Sequence, residues 1–395
     1  MAVVIEFETP EGFILDDPVQ GVLDSVFGLG GDDVFSDISN KSINATLNRG
    51  KSRDLDRYSA GTLTVELNNQ DRSFDPNYAD GPYYRQIVPR RKIRVTTDGV
   101  RQFSGVIDDW NFSYEPGGVS KAEIQATDEF TALARQLIAG TPTAQTSGAR
   151  VTSILDLAAV NWPADRRDIS TGSSELGAYA YDSNALEYLQ LVEASEQGAL
   201  FIAKDGDLTF KSSSSAAPKS DGLVTFADDG TGIPYRTVTV EYGTELLVNS
   251  VTVTSEAGSS TAQNSTSIQK YGVLAEDIDT LLDSTTQLAN LANYTVAKYG
   301  EPEYRFSGIV MNLDTMTAPN RAAVLGLELG NVVLVKFTPN DLGDPISQYG
   351  QIIKLDQEIQ KDRHDFVIGL ASLEFTSLVL DDAVFGTLGS NSLAF

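Results

Sequence analysis

From residue 41 to residue 130 apolar and polar positions alternate in short runs broken by turn-forming residues, the period of half-buried strands. In the run 61–67, Leu63, Val65 and Leu67 share one face. Gly61 opens it, and the Asn68–Asn69–Asp71 cluster ends it. A strand over 91–97 meets Asp98–Gly99, a strong two-residue hairpin signal, and its partner follows at 101–107. Another strand is expected at 120–126. The spacing then becomes helical: Phe130, Leu133, Ala134, Leu137 and Ile138 predict a helix over 129–138, stopped by Gly140.

The pattern changes after a linker, "TPTAQTSGA". A helix is predicted at 150–160, with Val151, Ile154, Leu155 and Ala158 inward. A second begins at an Asn184 cap with Glu187 three residues on, buries Leu186, Leu189 and Val192, and stops at Gly198. A hairpin around Asp205–Gly206 completes a small α/β module over 141–235. Residues 236–253 return to β, and a polar loop is expected at 255–270. Ser284 and Gln287 form a capping box for a helix over 284–299, whose inner stripe is Leu288, Leu291, Ala292, Thr295 and Tyr299. Gly300 and Pro302 end it. A strand at 303–313 resumes the sheet, so the helix reads as an insertion in a second β-domain, 236–375.

Two stretches repeat each other. "RKIRVTTDGVRQFSGVIDDWNF" begins the unit 91–130, and "NVVLVKFTPNDLGDPISQYGQIIKLDQ" begins the unit 331–374. Each reads strand, turn, strand, turn, strand. A chain that builds one β-unit twice offers two quasi-equivalent faces to its neighbours, as an assembly component does. The ends repeat as well. "FILDDPVQGVLDS" at 13–25 aligns without a gap with "LVLDDAVFGTLGS" at 378–390, so Leu15, Asp16 and Asp17 match Leu380, Asp381 and Asp382. These are either two copies of a convenient loop–strand pattern or two arms, 1–40 and 376–395, that occupy equivalent grooves. On the second reading, deleting 376–395 weakens assembly and leaves the monomer folded.

The fold class is therefore mainly β with α+β insertions: a first β-domain over 41–140, the α/β module and the second β-domain. A chain of 395 residues with 41% hydrophobic content supports more than one core. The net charge of −26 disfavours free nucleic acid and acidic membranes as partners. Residues 41–101 run the other way, with 12 Lys/Arg against 7 Asp/Glu. That stretch is either a docking surface for an acidic partner or a solvated barrel wall. No signal peptide is expected from "MAVVIEFETPEG", and no apolar run approaches the roughly 18 residues that span a bilayer.

Candidate chemistry is sparse. The chain has no cysteine and one histidine, His364, so a thiolate metal site and an H-x-x-x-H site are both out of reach. His364 lies in "KDRHDF" and reads as a solvated turn. With 55 acidic residues, a carboxylate pair carries no specificity. No phosphate-binding glycine loop and no EF-hand pattern occurs. Trp110 and Trp162 stand apart and point to packing. Tyr83 and Tyr84 form either an exposed contact loop or a lid over a barrel end. No catalytic residue, cofactor or metal is expected.

The stretch 49–76, "RGKSRDLDRYSAGTLTVELNNQDRSFDP", resembles a pattern in minor tail proteins of long-tailed phages that infect actinobacteria. Its carriers are Arg49, Gly50, Arg53, Ala60, Gly61, Thr62, Asn69, Asp71, Arg72, Phe74, Asp75 and Pro76. "PYY…PRRKIRV", "FSGVIDDW", "LDLAAVNWPADRRDIS", "YGEPEYRF" and "LDDAVFG" fit the same family. The resemblance implies a baseplate-hub-like tail hub: a homotrimer with two tube-like β-barrels per subunit, six similar barrels in all, joining a sixfold tail tube to a threefold tip. It implies as partners the distal tail protein, the tape measure and other tail-tip proteins. DNA would be met only in transit through the lumen, and the place of action would be the virion tail tip, after synthesis in the host cytoplasm. Assembly contacts are then expected at Arg49, Arg53, Asp71, Arg72 and Asp75 and at the two LDD arms. The alternatives are a distal tail ring component, which the α/β module disfavours, and a virion-associated cell-wall hydrolase or carbohydrate-binding protein.

Overall fold

The alternating runs become the thirteen strands of one principal sheet in the computed structural model, which describes residues 1–9, 34–213 and 223–373. In chain order these are β1 (Val3–Glu8), β2 (Phe35–Asp37), β3 (Ser42–Gly50), β4 (Ser59–Asn68), β5 (Lys92–Thr97), β6 (Val100–Ser113) and β7 (Lys121–Thr127). They continue with β8 (Val224–Ala227), β9 (Thr237–Glu241), β10 (Arg305–Asn312), β11 (Val332–Phe337), β12 (Ile346–Gln360) and β13 (Arg363–Ser372). The order across the sheet is β9-β10-β13-β12-β3-β4-β7-β6-β5-β1-β2; β11 also pairs with β12, and β8 with β11. Only the β8–β11 pair is parallel.

Two blocks of this sheet have the same order. One is β3-β4-β7-β6-β5 and the other β9-β10-β13-β12-β11. The likeness reaches single residues. Ile93 faces Gly105, as Val333 faces Gly350. β6 bulges at Asp108, where its pairing with β7 skips a residue, and β12 bulges at Ile353 in the same place against β13. Before β5 and before β11 one residue takes positive φ, Arg90 at 70° and Gly330 at 78°. Their N–H groups donate to Ile107 O and Ile352 O, each at 2.7 Å. The blocks differ at the outer edge: β5 carries β1 antiparallel, whereas β11 carries β8 parallel.

Each block has its own apolar core. The first gathers Phe7, Leu47, Leu63, Val65, Phe103 and Ile124, among others, and the second Phe306, Ile309, Val333, Ile352, Phe366 and Ile368. A third core belongs to the helical module. The helices are α1 (Phe130–Leu133), α2 (Ser147–Leu155), α3 (Ala185–Glu196), α4 (Ser265–Tyr271), α5 (Thr285–Tyr299) and α6 (Ala318–Gly326). Asn184 Oδ1 accepts from Glu187 N at 2.8 Å, and Ser284 Oγ from Gln287 N at 3.3 Å, so the two expected caps start α3 and α5.

Several expectations need correction. The helix over 129–138 is one turn, α1; residues 137–140 instead form a strand paired with Tyr181–Asn184, which draws Ile138 inward and leaves Leu137 78% exposed. Tertiary pairing overrides the helical spacing there. Helix α2 ends at Leu155, so Ala158 lies outside it and is exposed. The polar loop at 255–270 contains a strand, Gly258–Gln263, and α4. Helix α6 was not foreseen. Helix α5 does fall in chain order between β9 and β10 of the second block, but it packs with α2 and α3 in the module's core, with the separate sheet of strands 250–255, 258–263 and 275–279. His364 is no solvated residue: it lies in β13 with no solvent exposure, on the same face as Phe366, Ile368 and Leu370.

Candidate assembly site

The blocks are joined by a seam. Beyond its bulge β12 pairs antiparallel with β3, from Lys354 opposite Gly50 to Gln360 opposite Asn44. Alternation buries Ala45, Leu47, Arg49, Gln357 and Ile359 there. Gly50 takes φ +110°, which favours glycine, and a Cβ at this position would sit 2.1 Å from Ile353 O. Lys51 N donates to that same carbonyl at 2.9 Å.

Charge and amide groups lock the seam. Arg49 Nη2 donates to Glu328 Oε1 at 2.8 Å and to Ile202 O at 2.9 Å, tying both blocks to the module. Burial pushes the Glu328 carboxyl up, but Arg49 and the N–H groups of Lys204 and Leu329 outweigh it and hold the group below its ordinary range. Gln357 Nε2 donates to Gln102 Oε1 at 2.9 Å, and Gln102 Nε2 to Leu325 O at 3.2 Å. His364 Nε2 lies 2.9 Å from Gln357 Oε1, which makes the ring nitrogen the donor. Burial pushes the His364 imidazole down to about 4, so it is neutral at pH 7.

The end of the 49–76 stretch, from Asn69 to Asp75, closes largely on itself. Asn69 Oδ1 accepts from Phe74 N at 2.9 Å, which turns the chain and seats Phe74 in the first core. Arg72, at φ 59°, holds Asp75 through Nε (2.9 Å) and Nη2 (2.7 Å) and lies over the Tyr78 ring. The Arg72 guanidinium and Asn77 N–H keep the Asp75 carboxyl below the usual carboxylate range. Asp71 pairs with Lys41, and Arg53 with Asp56. Much of the basic excess over 41–101 is thus taken up in ion pairs within the chain. Of the expected contact residues, Arg49 is buried in the seam, while Arg53, Asp71, Arg72 and Asp75 form local pairs. Leu15, Asp16, Asp17, Leu380, Asp381 and Asp382 lie outside the described residues. Tyr83 packs on Phe74 and Phe7, whereas Tyr84 stays exposed.

Two of the strand edges without a backbone partner among the described residues belong to equivalent places in the two blocks. One is β6 beyond Asp108, on the side away from β7; the other is β9, on the side away from β10. Beside them Tyr114 is 50% exposed and Tyr242 71% exposed. Such edges invite pairing with another chain.

Two further buried carboxyls, Asp128 and Glu193, accept from backbone N–H groups. Burial pushes Asp128 up to about 7, and it accepts from Gly61 N and Phe130 N. Burial likewise pushes Glu193 up to about 7, with Leu200 N as donor. A depression of about 280 Å³ is lined by Asp168, Lys204, Asp205, Asp207, Lys211 and Glu328, among others. Its two lysines donate to backbone carbonyls, Lys204 Nζ to Leu325 O at 2.8 Å and Lys211 Nζ to Leu329 O at 2.9 Å. Among the described residues no three His, Asp or Glu side chains are grouped to hold a metal.

No protein-family model matches the chain, and no curated protein does. Solved structures do. A tail protein from Neisseria meningitidis MC58 superposes with a TM-score of 0.59 at 12% identity, over 94% of this chain and 96% of that one. The 43 kDa tail protein of prophage MuSo2 from Shewanella oneidensis gives 0.57 at 12% identity, over 93% and 96%. An Escherichia coli component of the type VI secretion system, described as structurally similar to the T4 bacteriophage tail proteins gp27 and gp5, gives 0.50 at 9% identity, over 85% and 74%. The chain therefore shares the fold of these tail proteins.

Proposed function

We propose that this chain is a structural tail protein of a phage or prophage and acts as the hub at the tail tip. Three copies would form a ring of six similar β-units, matching a sixfold tube on one side and a threefold tip on the other, with DNA passing through the lumen. The carrying observation is the duplication: two blocks with one strand order, one bulge position and one pre-strand turn, fused edge to edge in a single sheet. Rings close when a subunit shows complementary rather than identical faces to its neighbours. The shared fold with whole tail proteins, over nearly the full length of both chains, supports the reading. The pairing of most charged motif residues within the chain favours a scaffold over an enzyme.

The test is genetic and microscopic. A phage lacking this chain is expected to yield particles with absent or unfinished tails, and a labelled copy is expected at the distal end of complete tails. Normal infectious particles without the protein would overturn the reading. Sixfold stoichiometry on the tail would favour a distal ring component, and release of cell-wall glycan fragments by the purified protein would favour a hydrolase.

A further inference from the structure

The equivalence of the blocks has a consequence at the two open edges. Placing β4 on β10, β6 on β12 and β7 on β13 by their bulges and pairings puts Asn44–Thr46 of β3 on Thr237–Thr239 of β9; each strand then passes one extra residue of its inner partner, β3 between Asn48 and Gly50 and β9 between Thr239 and Val240, so an ungapped count carries "NATLNRG" (44–50) onto "TVTVEYG" (237–243). The part of β12 that receives β3, Lys354–Gln360, falls on residues 109–115. Inside the chain one of these joints is made. Among the described residues its counterpart is open at both halves, and the halves lie far apart in the strand order, with β9 at one end of the sheet and β6 seven strands away.

We propose that β9 of one copy adds to the edge of β6 beyond Asp108 in a second copy, antiparallel, in the register that β3 takes on β12. This rests on the reading of the chain as a ring component. The register sets Thr239 opposite Ser113, Val240 opposite Phe112 and Tyr242 opposite Trp110, so one face of the joint is apolar on apolar. Where the seam is made, Ala45, Leu47 and Ile359 are at most 6% exposed. Their counterparts Val238, Val240 and Tyr114 are half-buried or exposed, and a second copy would cover them. No like charges fall directly opposite each other: Glu241 meets Asn111, much as Asp356 meets Asn48 in the seam. Gly243 matches Gly50. A Cβ on Gly50 would strike the partner strand, whereas one on Gly243 meets nothing within 4 Å. The space against Gly243 is where the Asp108 carbonyl of the second copy would lie.

The chain has no cysteine, which makes cross-linking specific. The test is the double variant Thr239→Cys/Ser113→Cys in the full chain, oxidised at high protein concentration, with Thr239→Cys/Asn111→Cys as an off-register control. The in-register pair is expected to give a covalent ladder that ends at a closed three-chain species, and the control at least several-fold less. Gly243→Val is expected to keep the melting profile and to weaken self-association several-fold, because its side chain would meet the Asp108 carbonyl of the second copy. A native oligomer whose in-register cysteines stay free overturns the joint and leaves the ring reading standing. Cross-linking into open polymers keeps the joint and overturns the threefold ring. A protein that stays monomeric with both cysteines free overturns the joint.

Discussion

Gly50 lies so close to Ile353 that a side chain at this position would meet its carbonyl oxygen at 2.1 Å. The strand β3 can approach β12 only because this residue has no Cβ and tolerates φ +110°. Gly50→Ala is therefore expected to destabilise the fold by about 1–3 kcal/mol from backbone strain alone, before the displacement of β3 is counted. Gly243→Ala should leave the melting temperature of the monomer unchanged. Equal effects of the two substitutions in thermal denaturation would refute this account of the seam.

Arg49 carries the next prediction. Its removal in Arg49→Met strands the buried carboxylate of Glu328, a change that typically costs about 3–5 kcal/mol. The double variant Arg49→Met/Glu328→Leu should cost less than the sum of the single changes, because it strands no charge. Urea unfolding of the three variants measures the coupling. Simple additivity would mean that the pair contributes nothing specific.

His364 makes stability depend on pH. Its folded value, about 4, lies below its ordinary value of 6.5. The stability it contributes is present above pH 6.5 and is lost as pH falls toward 4, because the unfolded chain takes up a proton that the folded chain refuses. The loss is on the order of 3 kcal/mol across that window. Asp128 and Glu193, raised to about 7, act in the opposite sense: their contribution is present at low pH and is lost as pH rises through 7. The informative quantity is thus the difference between wild type and His364→Gln. Wild type should lose more stability than the variant between pH 7.5 and pH 4.5, and parallel profiles would count against a buried neutral imidazole.

Asn184 caps α3 with a short bond, 2.8 Å to Glu187 N, while Ser284 caps α5 at 3.3 Å. Asn184→Ala should lower stability by about 1 kcal/mol, and Ser284→Ala by less. Denaturant midpoints of the two single variants decide the ranking.

Much of this architecture was legible because strands leave local marks. Leu63, Val65 and Leu67 alternate, Asp98–Gly99 turns, and the two β-units share a spacing that survives in three dimensions as a shared bulge. What was missed depends on partners distant in sequence. Nothing within 129–138 announces that residues 137–140 will pair with Tyr181–Asn184. Helix α5 was placed from its own pattern, but only packing assigns it to the module's core. His364 was misread through its charged neighbours, although the parity of His364, Phe366, Ile368 and Leu370 already set it on an inward face. The seam had a signal too: "NATLNRG" and "TVTVEYG" align without a gap and end on Gly50 and Gly243. The local bonds of Asn69, Arg72 and Asp75 show why the end of the 49–76 stretch stands out, since these residues close a turn on their neighbours.

The seam between β3 and β12 also sets the mechanics of the subunit. Interstrand hydrogen bonds along Gly50–Asn44 and Lys354–Gln360 join the blocks directly. A load applied along those strands would have to shear all these bonds together, whereas a hinge would yield one bond at a time. Under such a load the two blocks are therefore expected to move as one stiff unit rather than to bend against each other.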